Sequence, residues 1–572
     1  MVDLLIRGAT VVDGTGAAPH RGDVAVSEGR IVEVGEVDET ATRVVDADGL
    51  VLCPGFVDPH THYDAQLFWD PHATPSSSHG VTTVIGGNCG FTLAPLAARD
   101  ADYTRRMMAK VEGMPLAALE AGATWDWEGF DGYLDRLDGR IGVNAGFLVG
   151  HCALRRAVMG AAANEREATG DELADITGLL HRALDAGALG LSTTRSPTHV
   201  DGEGAPVPSR LASVDEVMQL CRAVGEHAGT VLEAIIEGCL GRFTPADEDL
   251  LAGMSAAAGR PLNWNILGVD AADPDRPWHQ LQASNRAREQ GGRVVALTMP
   301  ILVPMTMSFG SYCALWLIPG WGEVLDVPID ERIRRLRDPA VRTRMLESAR
   351  ASNLSYTRLA EFGSYVIGDT AAPENAALAG RRVDVVAKER GLDPFTCVVE
   401  IAAADRLTTM LWPQPTNDGA DDWDLRRRLW EEPDILLGGS DAGAHIDRMC
   451  GAPYPTRFLA DTIRGRRLLP LERAVQLMTD TPARLFGLRD RGRIEPGAHA
   501  DLVVFDPETV DASPPRMVAD LPGGGARLLS TGLGLQHVFV NGTEVMSGGE
   551  LVEATPGTLL RSGRDTDTVA TR

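Results

Sequence analysis

Over roughly 400 residues in the middle of this chain, short apolar runs alternate with amphipathic stretches in the order strand, loop, helix. Few architectures accommodate so long an alternation. Residues 171–186 carry Leu173, Ile176, Leu179, Leu180, Ala183 and Leu184 at helical spacing and stop at Gly187. A strand-like run at 188–192 follows. Ser213-x-x-Glu216 then has the spacing of a capping box ahead of Val217, Leu220 and Val224. Further apolar runs fall at 230–236, 261–267, Arg293–Thr298 and 434–439. The pattern favours an α/β fold, a (β/α)8 barrel over a doubly wound sheet, although pattern alone does not separate them.

Both ends of the chain read differently. Residues 5–14, 23–26 and 30–34 are β-rich and punctuated by Gly, and so is 500–506. Residues 537–545 carry the Asn541-Gly542 pair that a type I′ hairpin turn wants. Neither end can bury a sheet face alone, so the two are expected to form one small β-sandwich from 1–54 and 489–555. The barrel then occupies 55–488, and 556–572 is expected to be a flexible tail. About 300–430 is too long for one barrel connection and reads as an insertion capping the site and shaping an acyl pocket. Within it, 330–351 is expected to be one charged helix.

Lys and Arg total 54 against 80 Asp and Glu, a formal charge of -26. Such a surface repels phosphate backbones and anionic lipid, so nucleic acid and membranes are poor partners and a small molecule the better one. No signal-peptide pattern opens the sequence, and no run reaches the roughly 18–20 apolar residues of a membrane span. Eight scattered cysteines without a Cys-x-x-Cys pair suit reduced thiols and a cytoplasmic setting. Short strand edges in the β domain are compatible with a homo-oligomer.

The strongest chemical signal is Pro54-Gly55-Phe56-Val57-Asp58-Pro59-His60-Thr61-His62. Alternate residues of a strand share a face, so His60 and His62 point together at its end, placed to bind one divalent cation. The second is Gly438-Gly439-Ser440-Asp441-Ala442-Gly443-Ala444-His445, an apolar strand that delivers a carboxylate to the rim where barrel active sites form. Asp441 there can touch a metal and take a proton from its water. It can equally cap a turn. The third is Cys89, closing the run 81–90, which alone reads as a small buried hydrophobe as readily as a ligand.

Three segments together resemble the amidohydrolase superfamily, and within it the N-acyl-D-amino-acid deacylase (D-aminoacylase) family. They are 54–62, Gly87-Asn88-Cys89-Gly90-Phe91, and Gly492-Arg493-Ile494-x-Pro496-Gly497-x-x-Ala500-Asp501-Leu502-Val503. Gly150-His151-Cys152-Ala153-Leu154-Arg155 and Gly190-Leu191-Ser192-Thr193 extend the likeness, which runs to about Val545. The resemblance implies a metal-bearing barrel with a β-sandwich, zinc-dependent amide hydrolysis, and a centre that includes His60, His62, Cys89 and Asp441. Many amidohydrolases bridge two metals with a carboxylated lysine on a mid-barrel strand. The only lysines here, Lys110 and Lys388, lie on no such strand, which makes Cys89 the anionic substitute.

Two family positions differ. A Thr-His closing the fifth strand and a Ser-His closing the sixth are expected, whereas this chain has Val231-Leu232-Glu233-Ala234-Ile235 and Leu262-Asn263-Trp264-Asn265-Ile266. Glu233 either faces the site as an oxygen ligand or pairs with an Arg on the helix side. Asn263 and Asn265 are better hydrogen-bonding groups than zinc ligands. One ion is expected rather than two, with Mn2+ or Fe2+ gaining on Zn2+ if Glu233 joins. Substrate-binding candidates are Arg448, which resembles the family's guanidinium after the strand-eight aspartate, with Arg195, His199, His445, His151 and Tyr63. The expected activity is cleavage of an N-acyl (D-)amino acid or related amide, with Asp441 as general base. The alternatives are ester or lactone hydrolysis, a lyase-like step, or a non-catalytic binding barrel.

Overall fold

The computed structural model describes residues 1–352 and 355–571. The alternation in the sequence becomes eight short, buried parallel strands: Phe56–Asp58, Val81–Gly86, Asn144–Phe147 (resumed at Val149–Gly150), Gly190–Thr194, Val231–Ile235, Pro261–Trp264, Arg293–Thr298 and Ile435–Leu437. Strand eight returns to strand one just past their C-terminal ends. Thr61 bridges Ala442 there, His62 N–H donates to Ala442 O at 2.7 Å, and Asp441 N–H donates to His60 O at 3.2 Å. The result is a (β/α)8 barrel. Val57, Ile85, Leu148, Val231, Val295 and Leu436, from strands on opposite sides, share one buried cluster, and only the barrel interior lets them meet.

Helices Gly170–Asp185, Val214–Gly225 and Pro245–Ala258 wrap the barrel, each opened by a Thr or Ser cap. At Thr169 the capping box is reciprocal, with Glu172 returning to the cap backbone. The box expected at Ser213 is only half made. Ser213 accepts from Glu216 N–H at 3.2 Å, but the Glu216 carboxylate turns inward to Arg155 and His151. A buried guanidinium outbids a solvent-exposed cap because its charge has no water to fall back on.

The termini build one nine-stranded sheet. Its order runs Glu550–Leu551, Thr543–Ser547, Leu535–Val540, Leu502–Phe505, Val51–Pro54, Val2–Val11, His20–Ser27, Arg30–Gly35, with Ala41–Asp46 also pairing with Val2–Val11. Val540 faces Thr543 across a two-residue turn in which Asn541 (φ 48°) and Gly542 (φ 75°) both take positive φ, as type I′ requires. Val51–Pro54 runs from this sheet straight into barrel strand one, so the sheet anchors the His60–His62 segment from behind.

Three boundaries differ from expectation. Of the expected flexible tail 556–572, residues 556–571 are held in place, and Arg572 lies outside the described residues: Leu559 and Leu560 are buried, Leu560 joins the barrel-interior cluster, and Thr566 Oγ1 donates to Gly229 O at 2.7 Å. Low apolar content hid that few but well-placed contacts hold the segment. The insertion is a separate unit, Pro304–Asp418, narrower than 300–430, because the helix Ala420–Leu429 belongs with the barrel. Inside it the charged stretch is two helices, Ile329–Arg337 and Pro339–Ala351, since Pro339 cannot continue a helix and Asp338 caps the second. This unit has its own core, where Trp321, Phe362 and Phe395 stack. The described residues include no helix long and apolar enough to cross a membrane. All eight cysteines are buried free thiols.

Candidate metal centre

The hydrogen-bonded clasp between strands one and eight brings His60, His62 and Asp441 together at the C-terminal rim. Asp58 tightens it by accepting from His60 N–H at 3.3 Å and Ser440 N–H at 3.4 Å. Gly443 (φ 92°) lets the loop after Asp441 pass so close that a Cβ would sit 2.4 Å from His62 O. Behind strand two, Gly87 (φ 73°) leaves no room for a side chain, with Leu148 O at 2.2 Å. Ser192 secures the 87–90 turn by donating to Gly87 O and accepting from Gly90 N–H at 3.0 Å. Cys89, Asp441 and His445 themselves hold positive φ of 55°, 57° and 49°. Such backbone costs non-glycine residues about 1 kcal/mol or more each and clusters where function over-determines it.

Measured along the rim, the donors form an arc. Cys89 Sγ lies 3.5 Å from His60 Nε2, His60 Nε2 3.7 Å from Asp441 Oδ1, and Asp441 Oδ1 3.1 Å from His62 Nε2. Glu112 Oε2 follows at 3.7 Å from His62 Nε2, then His445 Nε2 at 4.0 Å from Glu112 and 3.6 Å from Asp441 Oδ2. Two sets of three donors lie mutually within 4.8 Å, His60–His62–Cys89 and His62–Glu112–Asp441. Neither ring nitrogen of His62, nor His60 Nδ1, has a hydrogen-bond partner among the described residues, although both rings are buried. Imidazole nitrogens orphaned inside a nest of thiol and carboxylate fit a divalent cation by donor type and count.

Burial depresses His60 to about 3. Burial pulls His62 down too, but the Glu112 and Asp441 carboxylates outweigh it and hold that ring up at about 10. Asp441 resists its burial and stays well below the usual carboxylate range because the adjacent His62 ring, with His445 and His60, attracts its charge. Burial raises Glu112 to about 7 and Glu233 to about 8, and burial with the nearby Glu233 charge pushes the Cys89 thiol far up. Acidic groups crowded around so few cations that most are pushed toward their neutral forms are the electrostatic signature of a site built for a metal.

Glu233 does face the barrel interior, yet it belongs to neither donor set. Its Oε2 accepts from Cys89 N–H at 2.8 Å. Asn265, with its amide nitrogen turned toward Glu233, donates to Oε1 and to Ala234 O, leaving its oxygen at the Cys89 thiol. The pair standing where the family has histidines thus braces Cys89 from behind. Glu112 was missed: it follows the helix Ala101–Val111 outside any motif, and no spacing signal marks it.

Among the substrate-binding candidates, Arg448 and His445 reach the rim. Arg448 Nη2 sits 3.4 Å from His445 Nδ1 and fills the space beside Gly113, where a Cβ would be 2.0 Å from it. His199 packs on Phe91 with ring centroids 5.3 Å apart and feels the His445, His62 and Asp441 charges. Arg195 spends Nη1 on Ala212 O at 2.8 Å. His151 and Tyr63 do not fit the expectation. His151 uses Nδ1 on Thr193 and Nε2 on Glu216, both at 2.9 Å. The Tyr63 hydroxyl pairs with Ser76 Oγ at 2.7 Å in a fully buried setting. Both brace the barrel, because position at a strand end does not say which way a ring turns.

A family model described as amidohydrolase family matches residues 43–552. The chain is 32% identical to a D-aminoacylase of Alcaligenes xylosoxydans xylosoxydans, over 89% of each sequence. It is 31% identical to an N-acyl-D-aspartate deacylase of the same organism, over 98% of this chain and 95% of that one. A crystal structure of N-acyl-D-glutamate deacylase from Bordetella bronchiseptica, complexed with zinc and a phosphonate mimic of the tetrahedral intermediate, superposes with a TM-score of 0.65 at 26% identity. It covers 98% of this chain and 100% of that one. A D-aminoacylase structure gives 0.64 at 28% identity with the same coverage.

Proposed function

The chain belongs to the amidohydrolase family, and from that premise we propose that it is a metal-dependent hydrolase cleaving the amide of an N-acyl-D-amino acid or a related small amide. The observation that carries this is the convergence of His60, His62, Cys89 and Asp441 at the barrel rim with imidazole nitrogens left unpartnered. Those four residues would hold the cation, with Zn2+ favoured by the zinc complex of the Bordetella relative and Mn2+ or Fe2+ open to an oxygen-richer donor set. A bound divalent cation acidifies water and polarises a carbonyl.

The protein's own groups divide the rest. Asp441, held ionised by its neighbours, accepts the proton of the attacking water and returns it to the leaving amine. His445, 3.6 Å from Asp441 Oδ2, orients that carboxylate. Arg448 offers its guanidinium fork to the substrate carboxylate. Thr194 Oγ1 accepts from Ser196 N–H at 3.1 Å and pairs with His199 Nδ1 at 2.8 Å, which holds the His199 ring in place near the rim. Ester or lactone hydrolysis is the second reading, supported by Glu233 and Asn265 standing at the two altered positions.

The test is turnover of a panel of N-acetyl-D- and N-acetyl-L-amino acids by zinc- and manganese-loaded protein. Hydrolysis of D-substrates is expected, with His60→Ala and Asp441→Asn each lowering kcat/KM by about 100-fold or more. A fully metal-loaded protein that hydrolyses no amide of either series contradicts the reading.

A further inference from the structure

We infer that Glu112 is a metal ligand, and that Glu112, Asp441 and His62 form a second, oxygen-rich cation position beside the one bounded by Cys89. The inference rests on the reading of the pocket as a metal centre and adds to it a residue that no motif marks. Glu112 caps the end of Ala101–Val111, is 3% exposed, and places Oε2 at 3.7 Å from His62 Nε2. The Gly113 that follows it, at φ 60°, lets Arg448 close over the same turn, and His445 N–H donates to the Glu112 carbonyl at 2.5 Å. The backbone is therefore tied to the rim loop after Asp441, and the side chain is aimed rather than loose.

Two carboxylates this close inside a protein repel, and burial offers no water to screen them. The Arg448 guanidinium contributes attraction to Glu112 but pairs with Asp447 and His445. The His62 ring sits between the carboxylates, fully buried and without a hydrogen-bond partner on either nitrogen among the described residues. A cation in reach of all three relieves the repulsion and satisfies the ring together. One imidazole nitrogen holds one ion. With both positions filled, His62 goes to the Glu112 position, His60 and Cys89 hold the other, and Asp441 Oδ1 lies between them, 3.7 Å from His60 and 3.1 Å from His62. Carboxylate-rich sites suit Mn2+, Fe2+ or Co2+, while the thiolate end favours Zn2+.

The experiment loads the full chain, stripped of metal, with Co2+ and reads stoichiometry by elemental analysis and the sulfur-to-cobalt charge-transfer absorption in the near ultraviolet. Wild type is expected to hold two ions with the band present. Glu112→Gln should hold one and keep the band, and Cys89→Ser should hold one and lose it. Glu112→Asp, which keeps the charge on a shorter arm, should retain two ions with the second bound at least tenfold more weakly, which separates loss of a ligand from loss of fold. A wild type that takes up no cobalt overturns the metal centre and the inference with it. A wild type that binds cobalt with stoichiometry and affinity unchanged in Glu112→Gln overturns the Glu112 position alone.

Discussion

Replacing Glu216 with Gln tests how much the barrel depends on one buried ion pair. Arg155 and Glu216 are 0% and 1% exposed, and Arg155 Nη1 donates to Glu216 Oε1 at 2.7 Å and Oε2 at 2.5 Å. His151 Nε2 shares Oε1 at 2.9 Å. Gln keeps the shape and one acceptor oxygen but removes the counter-charge, leaving a guanidinium in a place water does not reach. Charges about 4 Å apart at an effective dielectric of about 20 attract by about 4 kcal/mol, and breaking one side of a buried pair costs about 3–5 kcal/mol. Arg155 Nη2 retains Arg166 O at 2.8 Å, which places the loss toward the lower end. A body of several hundred residues loses about 1 kcal/mol of stability per kelvin near its midpoint, so Tm should fall by about 3–4 K in calorimetry. The paired swap Arg155→Met with Glu216→Met should recover most of it. A fall below about 1 K would refute the reasoning. A companion variant, His151→Asn, should leave KM within about twofold, and a tenfold rise would return His151 to the substrate site.

Two further perturbations follow from buried contacts. His79 donates from Nε2 to Ser530 O at 3.1 Å and pairs through Nδ1 with Thr456, and burial lowers it to about 4. The unfolded chain therefore takes up the proton first, and stability is lost as pH falls from about 6.5 toward about 4. Between pH 7 and 5 the loss is about 2 kcal/mol, and urea unfolding of His79→Gln should lack it; equal pH slopes would contradict the assignment. Deleting 557–572 removes two buried leucines worth about 2 kcal/mol each and the Thr566 contact to Gly229. The truncated protein should melt several kelvin lower or fail to fold, whereas an unchanged Tm would mean the segment is idle.

Legibility followed the range of the interactions. Strand–helix alternation, the Asn541-Gly542 turn and the His60–His62 pair are local signals, and all three appear where the residues placed them. Glu216 shows where local reasoning fails: capping-box spacing was right for Ser213, but a partner 61 residues away in sequence, Arg155, took the carboxylate. Glu112 could not be found, because its role depends on a helix end meeting the loop after Asp441, hundreds of residues later. His151 and Tyr63 share strand-end positions with genuine rim residues, and only side-chain direction, which spacing does not encode, turns them into the scaffold. The segment 556–571 reads as idle in sequence because its hold on the barrel comes from a few long-range contacts.

Anomalous diffraction from crystals of zinc-loaded protein, collected on both sides of the metal edge, bears most directly on the centre. Peaks are expected at that rim within about 2.0–2.3 Å of His60 Nε2 and of His62 Nε2, with Cys89 Sγ or an Asp441 carboxylate oxygen among the ligands. Ordered histidines at that rim with no peak among them, in protein shown by elemental analysis to carry zinc, would contradict the assignment of the site.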